Sequence, residues 1–196
     1  MKLPALVRRY KWSILMVMLA ATVWWPTVDY LADFRKPDVG FVTTPHDVVA
    51  AMLDLAEVSE TDNVYDLGSG DGRVLRAAAE RGAKATGIEI DPGLVDQSRR
   101  MIRLAGLSEG VTIRRGDIFK QDLTPATVIT MFLTADLNAQ LRPQLDRLRP
   151  GTRVVSHMFR MQGARATKKV IVPSAESRMD HTVYLWVTPI LWESSK

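Results

Sequence analysis

Residues 64–72 read Val-Tyr-Asp-Leu-Gly-Ser-Gly-Asp-Gly, and no other stretch limits the fold so tightly. A short apolar run passes into a glycine-rich turn, and the turn opens a segment of helical periodicity. Glycines in such a turn let the backbone approach a ligand and adopt conformations that other residues avoid. The helix start adds unpaired N–H groups and the positive end of a dipole. In an open α/β sheet a nucleotide-type ligand lies outside the carboxyl ends of the strands, where strand order reverses.

The flanking sequence supplies such a sheet. Thr44-Pro45-His46-Asp47 reads as a helix start with Thr44 as the cap, and Val48, Val49, Met52, Leu53 and Ala56 follow at helical spacing. Strands are expected at 63–67, 83–90, 111–115 and 126–133, the last apolar enough to be buried on both faces. Helices are expected at 72–81 and 94–105, the second with Leu94, Val95, Ser98, Met101, Ile102 and Ala105 along one face. Leu137, Leu141, Leu145 and Leu148 mark a further helical stripe, which Pro143 interrupts and restarts. A strand at 152–159 and a pair at 169–172 and 182–188 close the chain. This alternation predicts an α/β fold, a Rossmann-like parallel sheet with helices on both faces. Only about eight residues precede Lys169 after the strand at 152–159, too few for a crossover helix, so the order of the last strands stays open.

Three strand ends offer a polar group to one crevice. Asp66 ends the first strand, Glu89 stands 21 residues after Gly68 at the end of the second, and Asp117 follows the third. An acid in the place of Glu89 can accept hydrogen bonds from ribose hydroxyls, and Asp117 could take an adenine amino hydrogen. A dinucleotide fold prefers G-x-G-x-x-G, whereas this turn reads Gly68-x-Gly70-x-Gly72 between Asp66 and Asp71. Pyrophosphate is poorly served by flanking acids. A sulfonium with an α-amino group is served well, since carboxylates attract both positive centres. The charges therefore favour S-adenosylmethionine over NAD.

At these residues the chain resembles a known family. Asp66-Leu67-Gly68-Ser69-Gly70-Asp71-Gly72-Arg73, with Gly87-Ile88-Glu89-Ile90-Asp91-Pro92, is similar to the motifs of class I S-adenosylmethionine-dependent methyltransferases. Phe41-Val42-Thr43-Thr44-Pro45, Gly151-Thr152-Arg153-Val154-Val155-Ser156 and Thr182-Val183-Tyr184 resemble, more narrowly, one lysine methyltransferase family. Its mitochondrial members modify the ATP synthase c-subunit and the adenine nucleotide translocator. The similarity runs over residues 41–186, and that family also carries a hydrophobic amino-terminal segment. The resemblance implies cofactor roles for Asp66, Gly68, Ser69, Gly70, Glu89, Asp117 and Ile118, and a place for Thr43 and Thr44 over the cofactor's amino-acid end. It also implies a protein substrate with an acceptor lysine. The glycine motif alone does not name the acceptor, because many methyltransferases share it, among them a histone lysine family outside the SET fold.

Methyl transfer to an amine needs positioning and an uncharged nitrogen. Candidate pocket groups follow the fourth and fifth strands: Phe132, Thr134, Ser156 and His157. Phe132 equally suits the core, and His157, in an alternating strand, equally suits solvent. No Asn-Pro-Pro-Tyr follows the fourth strand, which speaks against amino-group methylation of nucleobases or glutamine. A lipid or quinone acceptor, or a non-catalytic nucleoside-binding module, are the other classes to weigh.

The 196 residues fit one domain plus a short appendage, with no cysteine for disulfides, thiolate metal sites or a cysteine nucleophile. His46, His157 and His181 show no metal-ligand spacing, and no metal is expected. Residues 135–180 are net basic, but aromatic residues do not interleave there, and no nucleic-acid partner is expected. Residues 12–28 form a 17-residue stretch without charge, with Trp12, Trp24 and Trp25 at its ends. It lacks both a good cleavage site and a polar face, so a membrane anchor over residues 1–28 is expected, a linker over 29–40 and the methyltransferase domain over 41–196. Lys2, Arg8, Arg9 and Lys11 would hold the amino terminus inside. A full span would then put the domain outside, away from the cytosolic methyl donor. The expectation is a single-pass or monotopic anchor with the domain on the cytoplasmic side.

Overall fold

A computed structural model describes residues 37–192 apart from Val39. The expected apolar helix and anchor over residues 1–28, and nearly all of the linker 29–40, lie outside the described residues. Among the described residues no helix is long and apolar enough to cross a membrane.

The chain order is α1 (His46–Leu55), β1 (Asn63–Leu67), α2 (Arg73–Ala79), β2 (Lys84–Glu89), α3 (Pro92–Leu104), β3 (Val111–Arg115), a 3-10 turn (Ile118–Lys120), β4 (Val128–Met131), α4 (Ala135–Gln140), α5 (Arg142–Leu145), β5 (Arg153–His157), β6 (Lys168–Pro173) and β7 (Asp180–Val187). The strands form one seven-stranded sheet in the order β3-β2-β1-β4-β5-β7-β6. Strands β1 to β5 run parallel, and β7 is antiparallel to both of its neighbours. Strand order reverses between β1 and β4, which places the crevice beyond their carboxyl ends.

Successive side chains of the inner strands feed opposite cores, as the period of two requires. Val64 and Val128 join Val48, Met52 and Leu53 of α1, Leu75 of α2 and Ile102 of α3. Tyr65, Leu67, Ile129 and Met131 join Leu137 and Leu145 of α4 and α5, with Leu141, Leu148 and Trp186. The helices thus cover both faces, as the alternating pattern predicts. Pro143 does restart the helix, within α5.

Two local expectations are corrected and one open question is settled. Thr44 does not cap α1: Pro45 occupies the cap position, Glu176 Oε2 and Asp47 Oδ1 accept from the first-turn N–H groups of His46 and Val48, and the Thr44 hydroxyl turns to His157 instead. A cap residue is worth about 1 kcal/mol, while each of the four buried apolar side chains of α1 contributes about 1.5–3 kcal/mol, so packing outweighs the choice of cap. Helix α3 buries only Val95, Ser98 and Ile102. Met101 and Ala105 face solvent, because the sheet touches a narrower stripe than their spacing suggests. The connection from β5 to β6 carries no helix, yet the strand order left open by the sequence is resolved. The chain returns along residues 158–167 and β7 inserts between the two strands.

Candidate active site

The glycine turn hangs from β2 by its backbone. Gly68 and Ser69 both donate to the Ile88 carbonyl, at 2.9 and 3.1 Å, and Gly72 donates to Ser69 at 2.9 Å. Gly68, Gly70 and Gly72 all have positive φ. At Gly70 a side chain would stand 2.3 Å from the Phe41 ring, so the missing Cβ lets Phe41 lie against the turn. Ser69 is buried, its hydroxyl faces Gly87, and it has no hydrogen-bond partner.

The acids arrive as the sequence predicts, at the ends of three adjacent strands. Glu89 is buried, and its carboxylate holds the turn to its own strand end. Gly70 N–H donates to Oε2 at 2.8 Å, and Ile90 and Asp91 N–H donate to Oε1 at 2.8 and 2.9 Å. Asp117 is buried and caps the 3-10 turn, accepting from Phe119 N–H at 3.0 Å, with Ile118 half-buried beside it. Asp66 accepts from the Thr130 hydroxyl at 2.7 Å. Burial pushes its carboxyl up to about 7, and the charges of Glu89 and Asp71 add to the effect against the Thr130 bond.

Arg73 is a member that sequence reasoning passed over, although it ends the glycine motif. Its guanidinium grips the Asp71 carboxylate at 2.6–3.1 Å and donates to the Thr44 carbonyl at 2.7 Å, tying the turn to the segment before α1. Burial opposes the Asp71 charge, but the hydrogen bonds and charge of Arg73 outweigh it and hold the carboxyl below the usual range. Asp71 also accepts from Arg73 N–H at 3.2 Å. The start of α2 is therefore already filled by the protein's own acid and is not the open anion site that the sequence suggested.

The four candidates for the acceptor side divide in two. Thr134 caps α4, accepting from Leu137 N–H at 3.4 Å, and Ser156 donates to the Phe159 carbonyl at 2.6 Å, so both hydroxyls are used in shaping the loops. Phe132 and His157 instead lie against each other, ring centroids 4.1 Å apart, with Phe159 6.2 Å from Phe132. His157 is 1% exposed rather than turned to solvent. Its Nδ1 lies 3.1 Å from Thr44 Oγ1 and its Nε2 2.8 Å from His181 Nδ1. Burial, with the neighbouring His181, lowers its pKa to about 4. Thr43 is exposed, and Thr44 is buried.

The donor set fits the expected cofactor. Asp66, Asp71 and Glu89 crowd one turn where Arg73 pairs with Asp71, and burial, with the charges of Glu89 and Asp71, drives Asp66 toward protonation. Such a surplus calls for a cation and would repel pyrophosphate. Among the described residues no cluster of histidines and acids could hold a metal.

The family model for the ANTKMT methyltransferase domain matches residues 66–168. The chain belongs to this methyltransferase family. A protein-lysine N-methyltransferase of Saccharolobus islandicus is 42% identical over 154 residues, covering 77% of this chain and 94% of that protein. A lysine N-methyltransferase of Caenorhabditis elegans named for the ATP synthase c-subunit is 34% identical over 114 residues, 57% of this chain and 60% of the other. A crystallised RNA methyltransferase from Salinibacter ruber, in complex with S-adenosyl-L-homocysteine, is 45% identical with a TM-score of 0.71, covering 76% of this chain and 94% of that one. The resemblance seen in the sequence is borne out, and the protein is an S-adenosylmethionine-dependent methyltransferase with that compound as its cofactor.

Proposed function

We propose that this methyltransferase modifies a lysine of a membrane-associated protein, and that residues 12–28 tether it to that membrane with the domain on the cytoplasmic side. One observation carries the acceptor class. The rings of Phe132, Phe159 and His157 lie together just past the ends of β4 and β5, and in this proposal they form an uncharged aromatic wall on the acceptor side. A lysine reacts only as the neutral amine, and a wall without carboxylates gives the ammonium form nothing to hold. The lysine-modifying relatives from Saccharolobus islandicus and Caenorhabditis elegans support the same acceptor. The tether rests on the charge-free stretch with its terminal tryptophans.

In this proposal Glu89 takes the ribose hydroxyls and Asp117, with Ile118, the adenine. Asp66, Gly68, Ser69 and Gly70, with Thr43 and Thr44, enclose the amino-acid end. The cofactor supplies a methyl group on a sulfonium that is already a good leaving group. The protein's residues then orient the acceptor, exclude water and keep its nitrogen uncharged.

A second acceptor class is kept by one observation, the RNA methyltransferase at 45% identity. The two separate when membranes and total RNA are incubated with labelled methyl donor and either the full chain or Asp66→Ala. Acid-stable label on a lysine of a membrane protein, absent with the variant, is the expected result. Label in RNA would install the second class, and label in extracted lipid alone would install a lipid or quinone acceptor.

A further inference from the structure

Four side chains from distant parts of the chain form one unbroken line. Thr44 Oγ1 lies 3.1 Å from His157 Nδ1, His157 Nε2 2.8 Å from His181 Nδ1, and His181 Nε2 2.6 Å from Ser177 Oγ. Thr44, His157 and His181 are buried, at 6%, 1% and 6% exposure, and Ser177 reaches the surface. The inner end touches the segment that Arg73 binds to the glycine turn, and the outer end opens on the loop between β6 and β7.

We propose that Thr44, His157, His181 and Ser177 are a proton exit, through which the acceptor ammonium of the reaction proposed above discharges its proton to solvent before methyl transfer. Each of the four ring nitrogens has one hydrogen-bonding neighbour along the line, so one consistent set of tautomers runs its length. Thr44 donates to His157 Nδ1, the protonated Nε2 of His157 donates to His181 Nδ1, and the protonated Nε2 of His181 donates to Ser177. A proton delivered to the Thr44 oxygen displaces the hydroxyl proton to His157, and one proton moves outward at each junction until Ser177 releases one to water. The line then stands with all its bonds reversed, and rotation of the hydroxyls with tautomer exchange resets it. The amine keeps its electron pair, its N–C bond forms as the S–C bond breaks, and no other reactant is needed.

The surroundings suit a relay that stays neutral. His157 meets Phe132 from the end of β4 and His181 from β7, and its hydrogen-bond and ring partners include no carboxylate. Its depressed pKa keeps it uncharged near neutrality. Charges stand at the two ends, with Arg73 and its partner Asp71 at the Thr44 backbone and several more at the exit. Asp47 of α1 accepts from Ser174 Oγ and Ala175 N–H, Glu176 pairs with His46, and Arg178 and Asp180 flank the same loop. The chain turns sharply just past His157, where Met158 takes a left-handed φ of 62° and donates its N–H to Thr182 at 2.7 Å. That turn fixes the end of β5 against β7 and with it the spacing of the two rings.

The need is set by arithmetic. A free lysine is neutral in only about one molecule in two thousand at pH 7, and a docked ammonium is shielded from bulk water. The test follows methyl transfer to poly-L-lysine by the full chain between pH 7 and 9.5. His181→Gln, which keeps a polar side chain but cannot pass a proton between two ring nitrogens, should lower kcat about 100-fold at pH 7 and leave cofactor affinity unchanged. Its deficit should shrink steadily toward pH 9.5, where the acceptor loses its proton unaided. Ser177→Ala at the half-exposed exit tests the same line without burial at stake, and imidazole should restore part of the activity of His181→Ala. In the enzyme without substrates, ring nitrogen NMR at pH 7 should show His157 neutral, and His181→Gln should move its signals. A loss equal at every pH and unrescued by imidazole, or a doubly protonated His157 ring at pH 7, would overturn the relay while leaving lysine as the acceptor. Transfer by the wild type to no amine at all would overturn the acceptor class, and the relay's purpose with it.

Discussion

Asp66, Asp71 and Glu89 meet at one turn, and they do not behave alike. Asp71 has Arg73 as a partner, whereas Asp66 has only a hydroxyl and is pushed up to about 7. The two cases have opposite consequences for pH. A carboxyl whose folded pKa is raised contributes stability below its unfolded value near 4, and that contribution is lost as pH rises through about 7. For Asp71 the folded pKa is lowered, so its contribution is present at neutral pH and fades only as pH falls below the unfolded value. Binding a cation reverses the sense for Asp66, because the bound form needs the charged carboxylate. Calorimetry from pH 5.5 to 8.5 should therefore show cofactor affinity rising up to about tenfold per unit below 7 and levelling above it. Over the same range the thermal stability of the cofactor-free protein should fall relative to Asp66→Asn. Flat affinity across that range would mean that Asp66 does not face the cation.

Where α2 crosses β2, packing and cofactor site become one matter. A Cβ at Gly87 would stand 2.5 Å from Leu75 of α2 and 2.6 Å from the Ser69 hydroxyl, both wedged between helix and strand. Gly87→Ala should cost about 1–3 kcal/mol by overpacking, read as a melting temperature lower by roughly 2–4 °C per kcal/mol. Because the same Cβ pushes on Ser69, cofactor affinity should fall too, and a variant with normal affinity would show that the turn can move independently of β2. Elements of this kind were legible in sequence wherever the signal was local. The stripe Val48 to Ala56, the apolar run of β4 and the restart at Pro143 all follow from spacing within one segment. So do the acids at the three strand ends. What escaped was set by contacts across the sheet. The Thr44 hydroxyl is taken by a residue 113 positions away, and His157 and His181 meet only because β7 folds back onto β5. A single histidine in a strand carries no mark of which ring it will find there.

For the whole molecule, the function proposed above gives the apolar stretch a role in access to substrate. Among the described residues, the domain builds two cores, one on each face of the sheet. The 17 residues from 12 to 28 would measure about 26 Å as a helix, slightly less than the roughly 30 Å hydrocarbon core. That length allows a short span or a shallow insertion and either suffices for a tether. A tether raises the effective concentration of a membrane-bound partner and needs no tight docking surface. Removing residues 1–28 should therefore leave cofactor affinity and the rate on poly-L-lysine unchanged while the rate on a membrane-embedded acceptor falls by about 100-fold or more. Sedimentation with membranes should place the full chain in the pellet and the shortened one in the supernatant. Equal rates on the embedded acceptor would show that the segment does not bring the enzyme to its substrate, and a loss on both acceptors would show that it supports the fold instead.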